Sequence, residues 1–250
     1  MNKDYESMIY HAKKGQVSSG EAIGILLLDT SVPFIPGDVA NATTYSFPVR
    51  FQKVEGFTVA RALDKDPAIF YDLLTAAKFL VQQGVRAITG DCGFMGIHQQ
   101  KMAQALDVPV FLSSLIQIPF ISCLIGPESK VGVIAADSKS LNADLLTAVG
   151  VSDTSNAVVA GLEDKPNFHR FAIEETGVLD TKAVETEVVS VARKLVDDHR
   201  QVRAILLECS LMPPYSAAIQ AAVNLPVFDY ITMINFVFSA VVKQRYRGFM

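Results

Sequence analysis

The eleven residues at 85–95, VRAITGDCGFM, return at 202–212 as VRAILLECSLM. Val, Arg, Ala, Ile, Cys and Met recur in register, and Asp91 is answered by Glu208. The match runs on, because each cysteine is followed seventeen residues later by Pro-Val-Phe: Cys92 by Pro109, Val110 and Phe111, and Cys209 by Pro226, Val227 and Phe228. A weaker echo lies upstream, where Ile23-Gly24-Ile25-Leu26 with Asp29 matches Val131-Gly132-Val133-Ile134 with Asp137. The chain therefore reads as an internal duplication, with repeats over about 20–129 and 130–250, whose two copies each present one cysteine.

Around that frame, short apolar runs alternate with stretches of helical spacing. Residues 22–28, 85–89, 108–112, 130–135, 157–160, 203–207 and 225–228 have the composition of buried parallel strands. Helices are expected at 67–81 (behind an Asp66 cap), 96–106, 113–124, 180–199, from Pro213-Pro214 onward and 231–243, with a further one capped by Asp137 or Ser138. Residues 32–48, holding Pro33, Pro36, Gly37 and Pro48, form a long loop, and 163–177 is the least regular passage. The predicted fold is α/β: two pseudo-symmetric Rossmann-like lobes, each a mostly parallel sheet flanked by helices, with the active site in the cleft between them.

Ligands of such folds gather beyond the carboxyl ends of parallel strands, where Cys92 and Cys209 both stand. Two thiols on opposite sides of a small ligand can invert a carbon, one removing a proton as thiolate while the other delivers one to the opposite face. Gly93 permits close backbone approach, Ser210 offers a hydroxyl, and Phe94 and Leu211 fit a pocket wall. Asp91 and Glu208 would oppose thiolate formation. If the strand stays extended, their side chains point away from the cysteines.

These residues resemble the cofactor-independent aspartate/glutamate/hydantoin racemase superfamily, over essentially the whole chain from about Ala22. The resemblance implies Cys92 and Cys209 as the two acid/base residues, no cofactor and no pyridoxal phosphate, a small-molecule carboxylate substrate and a homodimer. It also implies a closing helix that packs back on the first lobe, giving lobes of 1–112 plus 229–250 and 113–228. Asp29 and Thr30 stand where family members often carry a substrate-touching Asp-Ser pair. Amino-acid racemases of the family carry Cys-Asn-Thr, then Cys-Thr followed by His or Glu. Here these are Cys92-Gly93-Phe94 and Cys209-Ser210-Leu211, which points to a less polar or larger substrate. The leading activity is racemisation of an amino acid or a hydantoin-like derivative. Alternatives are maleate-isomerase-like or arylmalonate-decarboxylase-like chemistry, or non-catalytic binding of a small acid.

Asn41 and Thr43, on the long loop, are candidates for substrate contact or ordinary turn residues. Cys123 lies in an apolar run and reads as core, while the four histidines show no ligand spacing and read as solvated or capping; no metal site is expected. Composition narrows the partners: 250 residues, 50% hydrophobic and 19% charged, with a net charge of −4 and no basic cluster, describe a globular protein without a footprint for nucleic acid or an anionic membrane. The first twenty residues lack the apolar core of a secretory signal, and three cysteines suit a reducing compartment, so the expected location is cytoplasmic.

Overall fold

The computed structural model describes residues 9, 11, 13–246 and 248–250. Half of the segment read for a secretory signal therefore lies outside the described residues. Two four-stranded parallel sheets carry the chain. The first has the order β2-β1-β3-β4, built from β1 (Ile23–Leu27), β2 (Val49–Lys53), β3 (Ala87–Gly90) and β4 (Val110–Phe111). The second repeats it as β6-β5-β7-β8, from β5 (Lys130–Ala135), β6 (Ala157–Gly161), β7 (Val202–Leu207) and β8 (Val227–Phe228). This is the expected α/β architecture.

Nine helices flank the sheets among the described residues: α1 (Val59–Leu63), α2 (Phe70–Gln82), α3 (Gln99–Ala105), α4 (Ile118–Ile125), α5 (Ala143–Ala148), α6 (Pro166–Ala172), α7 (Thr181–Asp198), α8 (Ser216–Val223) and α9 (Tyr230–Val241). None is long and apolar enough to cross a membrane. Helix α2 buries Leu73, Ala77 and Leu80 on one stripe, and α7 buries Val184, Val188, Val191, Ala192 and Leu195. The upstream echo has a packing cause: a Cβ on Gly24 would sit 3.0 Å from Leu80, and one on Gly132 would sit 2.9 Å from Leu195. Each copy thus keeps a glycine where its long helix leans on the sheet.

Several expectations need correction. Strand β2 and helices α1 and α6 were not foreseen. Strand β4 is two residues long, and the helices expected at 96 and 113 each begin with a 3-10 segment, Gly93–His98 and Ser114–Gln117. The helix after β5 is capped by Asn142, whose side chain accepts from Leu145 N–H; Asp137 instead closes a turn on Lys139 and Ser140. Cys123 is exposed on α4, and His98 is buried.

One core cluster runs continuously through both sheets, from Leu26 and Ile88 to Val133 and Leu206. A second is smaller, with Ile23, Ile25, Ala87 and Phe111 of the first sheet packed against Tyr230, Met233 and Ile234 of α9. Helix α9 thus lies on the first sheet, while α4 packs against β5 and β7 of the second.

Candidate active site

Cys92 and Cys209 each stand two residues beyond the carboxyl ends of β3 and β7, and both are half-buried. They line a single cavity of about 50 Å³ together with Asp91, Glu208, Ser210 and Thr30. Val32, Phe34, Val59, Leu63, Phe94 and Leu211 form its apolar wall, and Ala136, Ala172 and Ile173 close it from the second lobe. The lining holds no lysine, arginine or histidine. Among the described residues, no group of three or more His, Cys, Asp and Glu is arranged to hold a metal ion.

Both carboxylates line the same cavity as the thiols. The backbone stays in the sheet ladder through them, Asp91 N–H bonding Leu26 O at 3.0 Å and Glu208 N–H bonding Ile134 O at 2.9 Å. Asp91 reaches back to accept Leu28 N–H at 3.0 Å, and Glu208 accepts Ala136 N–H at 3.1 Å. Each carboxylate thereby ties the cysteine-bearing turn to the loop after the neighbouring strand, β1 or β5.

Burial dominates the electrostatics. It pushes Asp91 up to about 8, the Leu28 hydrogen bond opposing, and Glu208 up to about 7, with Asp137 adding to the rise. Both thiols are pushed well above the usual cysteine range, first by burial and then by Glu208; Asp91 adds to the effect at Cys92. Against this, the N–H groups of Phe94 and Met95 favour a thiolate at Cys92, and that of Leu211 favours one at Cys209. In an empty cavity the thiols are held neutral.

The copies touch across the cleft. Ser210 Oγ–H donates to the Asp91 carbonyl, and Ser114 Oγ–H to the carbonyls of Leu207 and Glu208 at 2.8 and 3.1 Å. Gly93, the counterpart of Ser210, is bare for a reason: a Cβ there would lie 2.6 Å from the Glu208 carboxyl carbon and 2.7 Å from its carbonyl oxygen. At the mouth, Glu175 accepts from Thr30 Oγ1–H and from Ser31 N–H at 3.2 Å, joining the loop after α6 to the loop after β1. Glu175 holds this position with a left-handed backbone, φ +52°.

Of the sequence candidates, the structure brings together Cys92, Cys209, Thr30, Phe94, Ser210 and Leu211, with Gly93 behind the turn. Asp29 does not line the cavity; its carboxylate pairs with Lys53 at 3.2 Å and accepts Gly56 N–H at 2.9 Å. Asn41 caps the 3-10 turn Ala42–Thr44, which bonds Thr43 back to it, and neither reaches the cavity wall. Glu208 and Asp91, expected to oppose thiolate formation, do line the site. One group was missed: Asp38, 1% exposed on the long loop, is pushed up to about 7 by burial and acts on Cys209. Its single apolar-flanked aspartate in a polar loop gave no signal.

The fold is that of the aspartate/glutamate racemases and their relatives. It matches glutamate racemase RacE1 from Bacillus anthracis with a TM-score of 0.56 at 13% identity, over 90% of this chain and 85% of that one. Allantoin racemase from Pseudomonas fluorescens matches with a TM-score of 0.56 at 14% identity, over 91% and 99%. No protein-family model matches the chain. By sequence it is 32% identical to a dimethylsulfoniopropionate lyase of Durusdinium sp. clade D, across 86% of this chain and 73% of that protein. It is also 32% identical to dimethylsulfoniopropionate lyase 3 of Emiliania huxleyi, across 88% of this chain and 59% of that protein. The chain belongs to the family of the dimethylsulfoniopropionate lyases. It spans about three fifths of the length of the Emiliania huxleyi relative.

Proposed function

We propose that this chain is a lyase acting on dimethylsulfoniopropionate or a close sulfonium carboxylate. The observation that carries the reading is a cavity with two thiols, two buried carboxyls and an aromatic wall but no basic side chain, in a chain of this family. A sulfonium head is a cation carried on methyl groups. Phe34 and Phe94 offer it ring faces, and Asp91 and Glu208 offer negative charge once ionised. The hydroxyls of Thr30 and Ser210 already donate to Glu175 and to the Asp91 carbonyl, so the substrate carboxylate is left to backbone N–H groups.

The reaction needs one proton removed from the carbon next to the carboxylate. A thiolate of Cys92 or Cys209 takes it; the C–H electron pair becomes the new C=C bond. The C–S bond breaks, its pair leaves on neutral dimethyl sulfide, and acrylate remains. One proton is released per turnover. Because the resting thiols are held neutral by burial and by carboxylates, the incoming cation also favours the thiolate that attacks.

The racemase reading uses the same first step, and the pair of thiols in equivalent turns favours it as second choice. The two readings part in the test. Purified protein is incubated with dimethylsulfoniopropionate in heavy water, dimethyl sulfide is measured in the headspace and acrylate by proton NMR, and Cys92→Ser and Cys209→Ser are run alongside. Equimolar products, with one serine variant losing much more rate than the other, are expected, and that variant names the base. No dimethyl sulfide, together with α-hydrogen exchange in an amino acid or hydantoin abolished equally by both variants, would replace the lyase by a racemase.

A further inference from the structure

The two copies part company at their carboxylates. Asp91 directs both oxygens to Leu28 N–H, at 3.0 and 3.3 Å. Glu208 meets Ala136 N–H through Oε2 alone, and its Oε1 is buried with no hydrogen-bond partner in a residue that is 0% exposed. The extra methylene carries that oxygen to the space that Gly93 leaves open. A bare carboxyl oxygen therefore lies between the turn of Cys92 and the turn of Cys209, in the wall of the cavity. A buried acceptor without a donor costs about 1–3 kcal/mol, so a role in anchoring Ala136 alone would be better served by the arrangement at Asp91.

We propose that Glu208 is the proton store of the site, taking the thiol proton that activates the attacking cysteine and releasing it to solvent after the product leaves. The proposal rests on the reading of the two thiols as proton carriers. In the first step the S–H bond breaks and an O–H bond forms on Oε1, giving thiolate and carboxylic acid. The thiolate then takes the substrate proton and returns to thiol. Glu208 is left holding one proton, the number the elimination releases, and loses it to water entering the emptied cavity. The groups that face this exchange are Cys92 and Cys209 on the two turns, Asp91 across the cleft, Asp38 on the loop after β1, Asp137 beyond β5 and Tyr230 of α9, none of them cationic. Burial sets Glu208 at about 7, near the pH at which proton exchange is efficient.

The test uses Glu208→Gln, which keeps an oxygen for Ala136 N–H and removes the exchangeable proton. Alkylation of Cys92 and Cys209 by iodoacetamide is followed by peptide mass spectrometry from pH 5.5 to 9.5. The wild-type rates are expected to inflect near pH 7, and the variant's to lack that inflection, with dimethyl sulfide release slowed about 10²-fold in kcat and KM within threefold. Superimposable alkylation profiles and kcat in the two proteins would overturn the proposal. So would a wild-type profile with no inflection below pH 8, a result that needs no variant to fold. Because alkylation requires no substrate, failure of the lyase reading leaves this outcome separately readable.

Discussion

Gly93→Ala should damage both the stability and the active cleft of this protein. Its Cβ would meet the Glu208 carbonyl oxygen at 2.7 Å, where ordinary contact begins at 3.4 Å, so the two backbones must separate by about 0.7 Å. Neither side yields easily. Glu208 N–H is bonded to Ile134 O at 2.9 Å, its carbonyl accepts from Ser114 at 3.1 Å, and Asp91 is held by Ser210 and Leu28. Overpacking of this kind costs about 1–3 kcal/mol, which for a chain of this size lowers Tm by about 4–8 °C at the midpoint of that range. The same displacement moves the Cys92 turn relative to the Cys209 turn, and misplacements near 1 Å cost about 10²-fold in rate. Calorimetry and dimethyl sulfide release measure the two effects on one preparation. A variant that melts within 1 °C of the wild type and keeps its rate would mean that the cleft is looser than the packing around Gly93 implies.

Two further outcomes follow from the same geometry. Asp38, Asp91 and Glu208 keep their protons to about pH 7, 8 and 7 when folded but release them near pH 4 when unfolded. The unfolded chain then binds fewer protons, so each lowers stability by about 1.4 kcal/mol per pH unit between those limits. His98, pushed down to about 4 by burial, acts in the opposite sense up to about pH 6.5, leaving the carboxyls alone above it; the urea midpoint should therefore fall from pH 6.5 to 8.5, and a rise would show these groups ionised in the native state. Glu175→Ala releases the part-buried bond to Thr30 at the cavity mouth and should speed alkylation of both site cysteines several-fold while changing stability by about 1 kcal/mol, the net worth of one hydrogen bond; unchanged alkylation would show that this contact does not limit access.

The repeat made both sheets legible, because strands β3 and β7 are mostly apolar and sit at the same place in each copy. Strand β2 was hidden: VRFQK follows Pro48, is only half-buried and lies at a sheet edge, so no apolar run announced it. Helices α1 and α6 are five and seven residues long, too short for periodicity to show. The cysteines were legible because a rare residue recurred in register. The partners of Asp91 and Glu208 were not, since Leu28 N–H and Ala136 N–H come from the neighbouring strands' ends, which only the sheet order brings alongside. Cys123 went the other way: α4 packs on β5 and β7 through Ile118 and Ile121, while Phe120, Cys123 and Leu124 are exposed although the run is apolar.

The return of α9 to the first sheet sets an order of assembly. Ile23, Ile25 and Ala87 belong to strands made early, yet the residues that cover them, Tyr230, Met233 and Ile234, come more than a hundred positions later. During synthesis the second sheet has all its strands before the first is covered. The nascent first sheet must therefore wait with an open apolar face until α9 has been made.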